Sequence, residues 1–315
     1  MAMNNSKSLI RRWIRKAFDS VPSLNNSTSI SAIGSSFSHQ APHSRNYVIF
    51  RFDDIPYDMP ENEYNLIDAE LAIMDLFIEK NQKLSLALVA SYVNESQSVI
   101  KKIEEGLNLD LFELAIHGWE HTDFALMSEI QQHKFLFDAL KKIEHIFGRC
   151  PQVFIPPYNS FNEHTLQAMK RLGISVLSSE LDLDENEAFN MKHTQDQSPG
   201  KRTEEEKQDP LDDKVINRIY HIPQMTGYDT FKRSRLFKVP IKRILKEIDS
   251  NISRYGYAVI TIHPQSIIKC IDGKYTNEID TREITNVENL IEVVRSKNME
   301  LSTFSHLLYQ ASSSN

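Results

Sequence analysis

YVIFRFDD, residues 47–54, is an apolar run that ends in two adjacent carboxylates. A segment that is apolar almost throughout reads as a strand buried on both faces, as in a parallel sheet covered by helices. The same character recurs in LSLALV (84–89), FELAIH (112–117), QVFI (152–155), ISVLS (174–178), RIYHI (218–222) and YAVITIH (257–263). Between these runs lie amphipathic patterns near residues 64–80, 95–106, 128–147, 162–172 and 240–255, and a last one covers about 286–297. Strand–helix alternation at this spacing predicts an α/β fold of parallel strands with crossover helices. Seven strands point to a barrel or partial barrel rather than a small open sheet.

The bulk numbers agree with a soluble globular chain. Of 315 residues, 40% are hydrophobic and 25% charged, so a core of normal size can be buried. The formal net charge of −7 excludes a general nucleic-acid binder, which needs a basic face to displace phosphate counterions. Cys150 and Cys270 sit in no CxxC pair and read as two reduced thiols. No run of 18 apolar residues exists to span a membrane.

The organisation has three parts. Residues 1–45 combine a basic amphipathic helix with a linker rich in Ser and Asn. In that helix Leu9, Ile10, Trp13, Ile14 and Ala17 share one face, opposite Arg11, Arg12, Arg15 and Lys16. Residues 8–18 therefore suit a peripheral membrane contact, an organelle transit peptide or a cover over an apolar patch. The interleaved charges break the uninterrupted apolar stretch of a secretory signal, which implies a cytoplasmic protein, with membrane association through this helix as the variant. The folded domain is expected over 46–310. A charged insertion at about 184–213, poor in apolar residues, is expected to be a mobile loop.

In parallel α/β folds, functional groups gather at the carboxyl ends of the strands. The first strand ends in Asp53-Asp54, the third in His117, the fourth in Pro156-Pro157-Tyr158 and the last in His263. Adjacent Asp residues leaving a strand point to different sides, so one can bind a metal while the other faces substrate. His117 and His121 are four apart, so on a helical turn both imidazoles share a face and can share a metal. Imidazole plus carboxylate suits zinc, with other first-row divalent metals also suited. The unperturbed pKa of histidine, about 6.5, suits His263 to donating a proton to a leaving group. The double proline fixes the backbone so that the Tyr158 N–H is presented in a set direction, as a developing oxyanion requires. Each element alone has a plainer reading: a turn or cap Asp pair, two surface histidines, a satisfied structural His and a stiff loop.

FRFDDIP, HGWEH, FIPPYN and VITIHP follow one another in the order of the motifs of the polysaccharide deacetylases, carbohydrate esterase family four. The resemblance spans roughly residues 46–305 and implies a distorted, NodB-like (β/α) barrel. It also implies a metal-dependent hydrolase that removes N-acetyl groups from an amino sugar or polysaccharide. A related hydrolase of a small cyclic or linear amide and a non-catalytic carbohydrate-binding homologue are the alternatives. By resemblance, Asp54, His117 and His121 are the metal ligands, Asp53 the general base, His263 the general acid, and the Tyr158 N–H part of the oxyanion hole. Two departures stand out. Ile155 occupies the place of the family Arg that tethers the base, with Arg51 and Arg218 as the available substitutes. The Asp that orients the acid His has its counterpart in Asp182 or Asp184.

Overall fold

The computed structural model describes residues 45–56, 66–180, 219–232, 235–271 and 274–313. The amphipathic segment 8–18, the linker and the insertion at 184–213 lie outside the described residues, as do Asp182, Asp184 and Arg218.

All seven expected strands form. They are β1 (Asn46–Ile55), β2 (Leu84–Leu88), β3 (Phe112–Ile116), β4 (Val153–Phe154), β5 (Val176–Leu177), β6 (Tyr220–His221) and, after three others in chain order, β10 (Tyr257–Ile262). Two further strands join the same sheet, β7 (Thr226–Gly227) against β10 and β13 (Met299–Ser302) against β1. Among the described residues the sheet thus holds nine strands, the seven expected and these two short additions. Both additions are too short or too polar to show as apolar runs, and only their neighbours make them strands. Every ladder in the sheet is parallel, in the order β6-β5-β4-β3-β2-β1-β10-β7. Its two ends, β6 and β7, are joined by residues 222–225, so the sheet curls into a distorted barrel. Two hairpins stand apart from it, β8 (Asp229–Lys232) with β9 (Arg235–Lys238), and β11 (Ile268–Ile271) with β12 (Lys274–Ile279).

The crossovers are helices α1 (Ile67–Glu79), α2 (Gln97–Asn108), α3 (Glu129–Phe147), α4 (Glu163–Leu172), α5 (Ile241–Tyr255) and α6 (Thr281–Ser296). Their ends are written locally. Ser128 and Gln131 form a reciprocal capping box at the start of α3, and Gly148 closes it with φ 62°, a conformation that costs glycine nothing. Among the described residues no helix is long and apolar enough to cross a membrane. Cys150 and Cys270 are exposed and unbridged.

Strand parity sorts the core into two layers. Val48, Phe50 and Phe52 of β1 pack outward against the helices, in the larger apolar cluster. Tyr47 and Ile49 face the interior with Val153, Ile155, Val176, Tyr257 and Val259. Each such fully buried side chain contributes roughly 1.5–3 kcal/mol of transfer free energy. A last helix, α7 (Phe304–Ser313), brings Phe304 and Leu307 into this interior cluster. Glu113 of β3 fastens it, accepting the N–H groups of Phe304 and Ser305, both at 2.9 Å, and the Ser85 hydroxyl at 2.9 Å. These are donors that the first turn of a helix cannot satisfy by itself.

Candidate metal and catalytic site

Parity along β1 turns Arg51 and Asp53 inward with Tyr47 and Ile49. Asp54 would then face the helices, but the register of β1 against β2 shifts between Phe52 and Ile55, and Asp54 adopts φ 64°. This bulge re-aims its carboxylate into the barrel mouth. The two carboxylates therefore share a site through an irregularity, where simple pleating would have parted them.

His117 follows β3 directly. Its Nδ1 lies 2.7 Å from the Ile155 carbonyl, which can only accept, so Nδ1 carries the proton and Nε2 faces Asp54 Oδ1 at 3.0 Å. His121 Nε2 approaches the same oxygen at 3.1 Å. The expected helical turn between the two histidines does not form. Residues 117–121 are an irregular bend, with Gly118 at φ 89°, where a Cβ would lie 2.7 Å from the Glu120 carbonyl. The i, i+4 pair converges because a strand end and a glycine bend bring it together.

Ligand atoms of Asp54, His117 and His121 all lie within 4.8 Å of one another. Burial opposes charge on Asp54, but the two imidazoles facing its carboxylate outweigh it and hold the carboxyl well below its usual range. One ionised oxygen facing two ring nitrogens, one of them with its tautomer fixed from behind, is a donor set that fits a divalent cation. It leaves further coordination positions to other ligands.

Asp53 lies beside this cluster, buried, gripped by the fork of Arg51: Nε is 2.9 Å from both carboxylate oxygens and Nη2 2.6 Å from Oδ2. Opposite stands His263, just past the end of β10. Its Nδ1 lies 3.0 Å from Asp229 Oδ1, and Ser266 donates its hydroxyl to Asp229 Oδ2. Burial disfavours the charged imidazole, but Asp229 prevails and His263 is pushed up to about 9. The orienting carboxylate is thus Asp229, which corrects the expectation of Asp182 or Asp184. It opens β8, a hairpin too short and polar to read as a strand. The carboxylate behind His263, and the Ser266 hydroxyl that it accepts, carried no sequence signal, because only the closing of the barrel places them here.

The Pro156-Pro157 loop sets Tyr158 and Asn159 at φ 57° and 52° in succession. Two non-glycine residues held left-handed beside polar groups are the kind of strain that clusters at functional sites. The Tyr158 ring, 67% exposed, packs edge-on against His121 with centroids 4.5 Å apart. Ile155 points into the apolar interior and offers only its carbonyl.

Residues 40–177 match the family model for polysaccharide deacetylase. Over this segment, less than half of the chain, it is similar to the polysaccharide deacetylases. Solved structures share the fold across most of the chain. A polysaccharide deacetylase candidate from Mycobacterium smegmatis, 13% identical, aligns with 90% of this chain and 96% of its own at a TM-score of 0.57. A family 4 acetyl xylan esterase from Clostridium thermocellum, solved with a cobalt ion, is 16% identical over 84% of this chain and 91% of its own, at 0.50. A family 4 pseudoenzyme from Bacillus anthracis is 11% identical over 84% and 66%, also at 0.50. At such identities the likeness concerns the fold. No curated protein matches the sequence.

Proposed function

We propose that this polysaccharide deacetylase homologue is a metal-dependent hydrolase that removes acetyl groups from an N-acetylated amino sugar or glycan. The observation that carries the reading is the meeting, at one barrel mouth, of a three-ligand cluster with a tethered carboxylate and a carboxylate-backed histidine.

Asp54, His117 and His121 would hold the ion, zinc being the first choice for one oxygen and two imidazole nitrogens. When bound, it supplies Lewis-acid polarisation of the acyl oxygen and lowers the pKa of a nearby water. Asp53, acceptor-only and locked by Arg51, takes the proton from the attacking water. The Tyr158 N–H, on a backbone fixed by two prolines, donates to the oxygen that becomes negative. His263 presents the proton on Nε2 to the departing nitrogen, while Asp229 fixes Nδ1 and stabilises the imidazolium. The amide C–N bond breaks, acetate leaves, and the amine carries away the proton.

The cobalt-containing esterase neighbour supports a first-row metal. The neighbouring pseudoenzyme shares the fold and marks the non-catalytic alternative, for which Ile155 is the relevant departure. Acetate release by zinc-loaded protein from N-acetylglucosamine oligomers tests the reading. Release that disappears in Asp53→Asn and in His263→Ala supports it. Metal binding without acetate or amine release from oligomers, acetyl xylan or small amides would overturn it in favour of a binding module.

A further inference from the structure

Arg51 is 2% exposed, inside a barrel, beside apolar neighbours. A guanidinium buried this deeply has to be matched donor by donor, and Arg51 is. Nε and Nη2 grip Asp53, Nη1 donates to the Ser178 carbonyl at 3.0 Å and reaches its hydroxyl at 3.2 Å, and Nη2 also reaches Asn159 Oδ1 at 3.1 Å and Gln224 Oε1 at 3.3 Å. Asn159 Nδ2 in turn donates to Gln224 Oε1 at 3.3 Å. One side chain from β1 therefore joins the end of β5, the Tyr158–Asn159 loop and the segment between β6 and β7. Those segments meet only where the barrel closes.

We propose that Arg51 is the positioning residue of the reaction, locking Asp53 to the Tyr158–Asn159 loop so that base and oxyanion donor are aligned together. The proposal rests on the deacetylase reading for its catalytic half. Strand parity gives the physical basis. Arg51 and Ile155 both belong to the interior layer, Arg51 by strand parity and Ile155 by its apolar cluster, so a cation from β1 stands where the residue just past β4 supplies none. Asn159 and Gln224 extend the lock. The left-handed backbone of the loop is held from below by the same guanidinium that orients the carboxylate. A lysine cannot substitute, because a point charge lacks the fork needed to engage Asp53, Ser178 and Asn159 at once.

The test uses full-length, zinc-loaded protein carrying Arg51→Met, Arg51→Lys, or Arg51→Met combined with Ile155→Arg. Arg51→Met should lower kcat about a hundredfold, the usual cost of a displaced reacting group, with KM and zinc content near those of the parent. Arg51→Lys should recover little, and Ile155→Arg in the Met background should recover at least about tenfold, since the cation returns from the opposite strand. Unchanged kcat in Arg51→Met, or no recovery with the relocated arginine, overturns the positioning role. A second readout is independent of turnover: urea unfolding of Arg51→Met, Asp53→Asn and the double variant. A double variant that loses much less than the sum of the singles shows the pair to be coupled, and additive losses overturn the lock. If the parent releases no acetate from any substrate, the deacetylase reading fails by itself, and the unfolding cycle still decides the lock.

Discussion

Replacing Asp229 by Asn should uncouple His263 from the charge that keeps it protonated. In metal-free protein the imidazole stands at about 9 against an ordinary 6.5, because Asp229, then Asp54 and Asp53, outweigh the burial that opposes its charge. At 1.36 kcal/mol per pH unit, that gap is worth about 3 kcal/mol in favour of the folded state, most of it from Asp229. The folded-state pKa is raised, so the contribution is complete below about 6.5 and disappears as pH climbs through about 9. Urea midpoints of the parent and Asp229→Asn, taken from about pH 6 to pH 10 with chelator present, should therefore converge as pH rises. An NMR titration of the imidazole should place the variant's transition below the parent's, with burial then opposed only by the more weakly acting Asp54 and Asp53. Zinc should also lower the parent's transition, by neutralising Asp54. An imidazole that titrates near 6.5 in the parent, or a midpoint difference constant across the range, would refute the reasoning.

His117→Ala combined with His121→Ala should abolish stoichiometric zinc binding, about one ion per chain by elemental analysis; retained metal would remove the proposed site. Asp53→Asn should cost on the order of 10²–10⁴ in acetate release while zinc content stays unchanged, and full activity in that variant would deny Asp53 the role of base. Glu113→Ala should lower stability by about 1–3 kcal/mol, because it strips the acceptors from two helix N–H groups and a buried hydroxyl at once. Differential scanning calorimetry reads that loss, and a variant melting with the parent would show that α7 docks through apolar contacts alone.

The sequence by itself determined the seven apolar strands, their parallel pairing and the placement of Asp53, Asp54, His117, Tyr158 and His263 at strand ends. These are local facts: continuous apolar character needs burial on both faces, and a polar residue ending such a run has to emerge at the rim. It could not determine how those residues are held. Asp54 reaches the histidines through a bulge with positive φ, and His117 and His121 meet across a glycine bend where helical spacing had suggested a turn of helix. Asp229 meets His263, and Arg51 meets Ser178, only when the barrel closes, across 34 and 127 positions of the chain. Nothing in the short YDTF segment announces a partner for His263, and the sequence offered Arg51 only as one of two candidate partners for Asp53. Tertiary structure decided both, because a buried charge is tolerated only where the fold supplies an acceptor for each of its protons.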